Sequence, residues 1–521
     1  MSDSIMHPEL VFGLVGPIGI DMAMVSAKLE MALVSVGYTP VPIRVTELMT
    51  EIDTGKVLEN STDPLKHYVG RIEYANAVRK KCGDDAALAA LSIVKIRQIR
   101  AERNKEAEKS SSDPDELAQL PLTKHAYVIR QFKRREEIDL LRRVYGRKFI
   151  QISASMSVDD RLKSLSRKLA VYNPNLDQTA CDDISKKLIE RDLNESAEEW
   201  GQRVGDVFHL GDVFVDAKND ATSERTVRRF VEALFGKNAL SPTIDEYGTY
   251  MAASAGLRSL DTSRQVGAAI FSHAGEVISM GSNEVPKAGG GTYWADNSSP
   301  HRDFDEGHDA NSTNKRRVLF DVVKRLKLGG FIKTDEDDTE LFSRVAASPA
   351  VDDAMVMDIT EFGRMTHAEM NAITDAARLG RATSNATLYC TTFPCHNCAK
   401  HIVASGIMRV VFIEPYPKSK AIELHYDAIT LSGGDKDKVS FEHFHGISPR
   451  RYRDIFEKQK RRKSDGSLNE WYEGTPAPRL EDRGPYHVFN ELSAVLSTLK
   501  VVAAELGIVA LDSQTDAEDV E

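Results

Sequence analysis

His367, Glu369, Cys395 and Cys398 are the residues whose types and spacing carry the most chemistry. One imidazole and two thiolates hold Zn²⁺ and leave a fourth tetrahedral position open, which is a catalytic arrangement and not a structural one. A metal held this way lowers the pKa of water from about 15.7 towards about 7. Glu369 stands two residues from His367, where a carboxylate moves protons and does not bind metal. Cys395 and Cys398 are three apart, which predicts one face of a helix whose N-terminus favours thiolates. Pro394 suits the first turn of that helix. No second C-x-x-C completes a Cys₄ site; a redox pair is the rival reading of the two cysteines. His396 lies between them on another face, Cys390 ends an apolar strand, and Cys82 and Cys181 stand alone.

Elements must bring these residues together. The spacing predicts helix, strand, helix and strand in quick order from Thr366 to Pro415. Before them, Val266–Phe271 and Glu276–Ser282 predict a hairpin closed by the turn SHAG. A polar excursion over 287–361 separates hairpin and motif, with Gly289, Gly290 and Gly291 in a row and the acidic stretch KTDEDDTE. The chain ends in a helical pattern over 488–506 and an acidic tail, TDAEDVE.

The first part of the chain reads differently. A short apolar run ends at Val15, and glycines at Gly13, Gly16 and Gly19 lead into a helical pattern from Met22 to Leu33. This is the strand, glycine-rich turn and helix that open a doubly wound α/β domain. Glycines let a backbone approach phosphate, and a helix N-terminus adds partial positive charge. The match to G-x-x-x-x-G-K-[ST] fails at two positions: Ile20 stands for the lysine and Asp21 for the hydroxyl. A P-loop-like domain that senses nucleotide without phosphoryl transfer is the expectation. The basic stretches 130–143 and 458–463 would meet phosphate or RNA, or be solvated faces. The polar segment Ala217–Arg225 suggests a boundary there or up to about 20 residues later, so the expected domains are 1–225, P-loop-like, and 240–521.

At 521 residues the chain is too long for one core. Its 41% hydrophobic and 28% charged residues are a globular balance. Acids outnumber bases 79 to 68, a net charge of −11, which weighs against a protein that coats duplex DNA. Five cysteines make no disulfide framework. No apolar run spans a bilayer and the start is no signal peptide, so a cytoplasmic location is expected.

H-x-E with P-C-x-x-C is the zinc-deaminase signature. THAEMNAI (366–373), the stretch 388–417 and RQVGAAIFSHAGEVISMGSNEVP (264–286) together resemble the deoxycytidylate deaminase family. The resemblance covers most of 245–430 and implies a cytidine-deaminase-like α/β/α fold for the second domain. It implies hydrolytic deamination of dCTP, dCMP or both, with Zn²⁺ on His367, Cys395 and Cys398 and with Glu369 as the proton carrier. It also implies nucleotide contacts from Asn283, Asn371 and Tyr416, and a homo-oligomer. Paired with a P-loop-like first domain, the chain resembles two-domain bacterial anti-phage dCTP/dCMP deaminases, whose first domain is similar to a nucleotide kinase. That resemblance implies depletion of dCTP during infection and restraint by a small RNA. The alternatives are an RNA-regulated toxin–antitoxin component and a base deaminase acting on single-stranded nucleic acid. The latter needs a basic channel with stacking aromatics, which 7% aromatic residues and an acidic balance do not favour.

Overall fold

The structure is a computed structural model. It describes residues 6–508 apart from 59–60, 108–110, 112, 196–197, 353, 432 and 482. The acidic tail lies outside the described residues, as does part of the polar loop at 108–116. The chain divides into two units: residues up to Glu246 together with those from His445 onward, and Tyr247–Phe444 between them.

The first unit is built on five parallel strands: β1 (Leu10–Val15), β2 (Thr39–Arg44), β3 (His125–Phe132), β4 (Phe149–Ser155) and β5 (Val213–Asp216). β1 is buried along its whole length, as a strand covered by helices on both faces must be, and its run of apolar residues follows from that. β2 carries Pro40 and Pro42 and lies at the sheet edge, where a missing donor is tolerated. Helices Met22–Ser35 and Asp220–Leu234 cover one face; Ala87–Glu106 and Arg135–Tyr145 cover the other. The segment expected as a boundary, 217–225, is the start of the helix Asp220–Leu234, capped by Asn219 and burying Val227, Phe230 and Val231. Its polar first turn caps the helix and links no domains.

The second unit carries the other mixed sheet. β6 (Gly267–Phe271) and β7 (Val277–Ser282) form the expected antiparallel hairpin. β8 (Thr387–Thr392) pairs antiparallel with β6 and parallel with β9 (Arg409–Glu414). β10 (Ile429–Thr430) and β11 (Val439–His443) extend the sheet, giving the order β10-β11-β9-β8-β6-β7. Helices Ala368–Arg378 and His396–Ala404 pack on it through Ala368, Ala372, Cys398, Ala399 and Ile402. The excursion 287–361 is folded: helices Ala310–Leu328 and Asp338–Ala346 share a small core of Leu319, Val323 and Leu341. It is flanked by a bridge between Glu284 and Thr366, the latter immediately before His367.

The chain then returns. β12 (Gly446–Ile447) pairs antiparallel with β5, so the first sheet reads β12-β5-β4-β1-β3-β2. Glu246, fully buried, binds Arg229 and accepts from the Ile447 N–H at 2.9 Å, fixing the outgoing and returning segments. Residues 445–508, expected as part of the second domain, thus complete the first unit. Helix His487–Leu499 is held in its core by charge: Arg100 binds Glu9 at 2.6 Å and Glu491 at 2.8 Å, and Tyr145 donates to Glu491 at 2.9 Å. Among the described residues no helix is long and apolar enough to cross a membrane.

Candidate metal centre

Two helix starts converge. His367 is the N-cap of Ala368–Arg378, with extended backbone (φ −63°, ψ 154°), and Cys395 is the N-cap of His396–Ala404 (φ −68°, ψ 166°). Cys395 Sγ accepts from the Cys398 N–H at 3.4 Å, as an N-cap side chain does for the third helical residue. Pro394 thus sits one residue ahead of the N-cap and not in the first turn, because the cysteine takes the capping position.

His367 Nδ1 lies 3.4 Å from Cys395 Sγ and 3.3 Å from Cys398 Sγ. Zinc–sulfur and zinc–nitrogen bonds of about 2.3 and 2.0 Å at a tetrahedral angle require about 3.5 Å between such atoms, so the donor set fits zinc. Glu369 Oε2 is 3.4 Å from Cys398 Sγ, and its side chain is buried, 4% exposed. The hydrogen bond with Cys395 lifts His367 to about 9. Hydrogen bonds from Cys398 and His367 draw Cys395 down to about 4 against the effect of burial. Cys398 is pushed up, first by sharing its proton with Cys395 and then by burial. Burial also raises the Glu369 carboxyl. Sharing of protons over three soft and borderline donors is what a dication replaces when it binds. His396, the rival ligand, stays outside this cluster, its buried Nδ1 without a hydrogen-bond partner. None of His301, His308, His443 and His445 joins a cluster of three ligating groups among the described residues. The second such cluster, Glu9, His487 and Glu491, already has its cation in Arg100.

Gly281 places the helix. A Cβ there would lie 2.2 Å from Ala368 O and 2.5 Å from Ala372 N, so only glycine lets Ala368–Arg378 reach β7. Asn371 donates to Ser282 O at 2.9 Å and ties the same helix to the strand end. Asn283 is also internally engaged: it accepts from Val266 N at 2.7 Å and donates to Asp261 and to Arg264 O, each at 2.8 Å. Both asparagines position the walls of the site through these bonds. Tyr416 is half-buried, its ring 5.3 Å from the Arg264 guanidinium, which pairs with Glu414 at 2.9 Å. Ser419 donates to Pro394 O and Lys418 pairs with Asp358, each at 2.8 Å. The Lys418–Asp358 pair thereby ties the C-terminal end of the excursion beside the centre.

In the first unit packing requires the first two glycines of the loop. A Cβ on Gly13 would meet the Phe149 ring at 2.7 Å, and one on Gly16 would meet Met22 Sδ at 2.6 Å. Gly19 has φ +96°, Ile20 is buried, and Asp21 caps the following helix by accepting from Ala23 N and Met24 N. Of the basic stretch 130–143, Lys133 reaches this loop, its Nζ donating to Gly16 O at 2.9 Å. Most bases of 130–143 are engaged internally: Arg134 with Asp85 and Gly201 O, Arg142 with Leu210 O. In 458–463, Lys458 donates to Lys237 O, while Lys460 to Lys463 are exposed.

Comparison with known proteins adds the family of this region. Residues 242–414 match the cytidine and deoxycytidylate deaminase zinc-binding region. The chain is 52% identical over 54 residues to the deoxycytidylate deaminase of Enterobacteria phage T2, covering 10% of this chain and 29% of that enzyme. It is 50% identical over 50 residues to the deoxycytidylate deaminase of Saccharomyces cerevisiae, covering 10% and 16% respectively. These matches span less than a third of either relative. The dCMP deaminase of cyanophage S-TIM5, solved with dCMP and dUMP, aligns over 39% of this chain and 99% of its own, at 17% identity and a TM-score of 0.23. The second unit is therefore similar to the zinc-binding region of the cytidine and deoxycytidylate deaminases, and its cofactor is zinc.

Proposed function

We propose that the second unit hydrolyses the exocyclic amine of a deoxycytidine nucleotide, with dCMP, dCTP or both as substrate. The observation that carries this reading is the triangle of His367, Cys395 and Cys398 with the Glu369 carboxyl 3.4 Å from Cys398 Sγ. Zinc, when bound, makes water acidic near neutral pH. The chain's own residues do the rest. Glu369 takes a proton from the attacking water and hands it to ring nitrogen N3 as the bond from oxygen to C4 forms. It then delivers the second proton to the amine as the C4–N bond breaks and ammonia leaves. Burial suits Glu369 to this exchange, since a carboxyl held above its ordinary range gives up and regains a proton more evenly. Asn283 and Asn371 fix the 261–266 loop and the helix around the pocket, and Tyr416 offers a ring face for the nucleotide.

The test uses the zinc-loaded chain with dCMP, dCTP and single-stranded DNA side by side, reading ammonia and deoxyuridine products. Free nucleotides are turned over and DNA is not. Glu369→Gln keeps zinc and loses about 10²- to 10⁴-fold in kcat; equal turnover by this variant removes the proton-carrier role.

The finer parts of the reading rest on the sequence resemblance. The first unit is nucleotide-kinase-like and binds nucleotide, in keeping with its parallel β2-β3-β1-β4-β5 order and glycine loop. The enzyme works in the cytoplasm as a homo-oligomer, depletes dCTP in anti-phage defence, and is restrained by a small RNA.

A further inference from the structure

The turn between β1 and the helix Met22–Ser35 holds an anion, and that anion belongs to the chain. Asp192, in the last turn of the helix Gln178–Leu193, is 2% exposed. Its Oδ2 accepts from the Ile18 N–H at 2.6 Å, and its Oδ1 binds Lys133 Nζ at 2.7 Å. A backbone N–H and an ammonium turned on one carboxylate are the donors that a phosphate oxygen also takes. A third cation stands beside them partly unused. Arg161 is 7% exposed, and its Nε and Nη1 are buried without a hydrogen-bond partner. Its backbone and Cβ pack within 3.1–3.3 Å of where a Gly19 Cβ would be, and the Asp192 charge acts on its guanidinium. A buried donor left unpaired loses its hydration without a bond in return, so the arrangement is poorer than it need be.

Resting on the nucleotide-binding reading of the first unit, we propose that the loop Gly16–Ile20, Lys133 and Arg161 form a binding site for a polyphosphate group, which Asp192 occupies as an internal plug. The oxygens explain why a phosphate fits better than the plug. A carboxylate has two oxygens, and both are spent on Ile18 and Lys133. A terminal phosphate has three, enough to keep those two donors and also satisfy Arg161. The helix N-terminus itself is not the site, because Asp21 takes its N–H groups. The recognition is therefore by one loop amide, the half-buried Lys133 and the buried Arg161. With Ile20 and Asp21 where a lysine and a hydroxyl would be needed, the site binds and does not transfer phosphoryl groups. The helices Val158–Tyr172 and Gln178–Leu193 carry Arg161 near one end and Asp192 near the other. A ligand that expels Asp192 must therefore loosen the last turn of the second helix while holding the first.

A plug lowers apparent affinity by the fraction of molecules in which the site is open. Titration calorimetry on the full chain, with inorganic tripolyphosphate and with a nucleoside triphosphate as separate probes, tests this. Asp192→Asn is expected to bind tripolyphosphate about tenfold more tightly than the wild type. Adding Arg161→Met to that variant is expected to cancel the gain. The proposal is overturned if Asp192→Asn binds no more tightly, or if Arg161→Met changes nothing. Should Asp192→Asn not fold, the wild type decides: saturating tripolyphosphate must speed amide exchange over 188–195, and unchanged exchange overturns the proposal. Tighter binding of the nucleoside triphosphate makes the ligand a nucleotide; equal binding makes it free polyphosphate.

Discussion

Replacing Arg100 with methionine removes the cation that joins the two ends of the chain. The guanidinium is fully buried, and it binds Glu9 and Glu491 through two contacts each and Ala118 O through one. Methionine fills similar space and removes the main counter-charge of two buried carboxylates, leaving Glu491 only the more distant Arg97 at 3.9 Å and Glu9 only His487, a change worth about 3–5 kcal/mol. Linkage gives a similar figure. Burial would raise Glu9, but Arg100 and then His487 outweigh it and hold the group at about 2, against an ordinary 4.5. At about 1.4 kcal/mol for each tenfold, that difference is on the order of 3 kcal/mol. The sign is also fixed. With Glu9 depressed, the wild-type contribution is complete above pH 4.5 and is lost as pH falls towards about 2. Without Arg100, burial dominates at Glu9, its carboxyl rises, and acidification below neutrality stabilises the variant by protonating it. Urea unfolding followed through Trp200 and Trp471, both in the first unit, measures this at pH 5 and pH 7. A loss below about 1 kcal/mol at pH 7, or a variant relatively weaker at pH 5, would refute the buried-charge account.

Three further outcomes follow from the second unit. Gly281→Ala should push the helix Ala368–Arg378 off β7, cost about 1–3 kcal/mol, and lower zinc content on dialysis, because the added carbon meets backbone and not a movable side chain. His396→Ala should keep one zinc per chain by elemental analysis, whereas Cys398→Ala should lose it; zinc loss in the first variant would add a ligand to the site. Asn283→Ala should leave zinc in place and weaken KM more than kcat, because the 261–266 loop loses the acceptor and both donors that hold it.

The centre was legible because its logic is local. His367 with Glu369, and Cys395 with Cys398, are each set by a single helix start, and the β6–β7 hairpin by one turn. What escaped was long in sequence. The pairing of Ile447 with Val213 and of Arg100 with Glu491 joins residues hundreds of positions apart, with no periodicity to announce it. The helix Asp220–Leu234 was read as a boundary because its polar cap precedes its apolar face. Lys133 and Asp192 meet at the glycine loop from a strand end and a helix end, a juxtaposition only the fold creates. Gly13 and Gly16 suggested phosphate by type; their surroundings, Phe149 and Met22, show what the missing side chains make room for.

The capping positions explain why the motif has the spacing it has. An N-cap residue stands outside the helical backbone, so its side chain turns across the helix end while the residues after it begin the first turn. His367 and Cys395 both stand there, which lets two helices offer one ligand each across a shared gap. Two residues beyond His367, Glu369 falls in the first turn and faces the same gap from inside the core. Three residues beyond Cys395, Cys398 gives its N–H to the first sulfur and its own sulfur to the cluster. Both helix ends present partial positive charge to the sulfurs, which favours thiolates before any ion arrives. Shifting either cysteine by one residue would keep the composition of the motif and lose the cap, the orientation or the dipole.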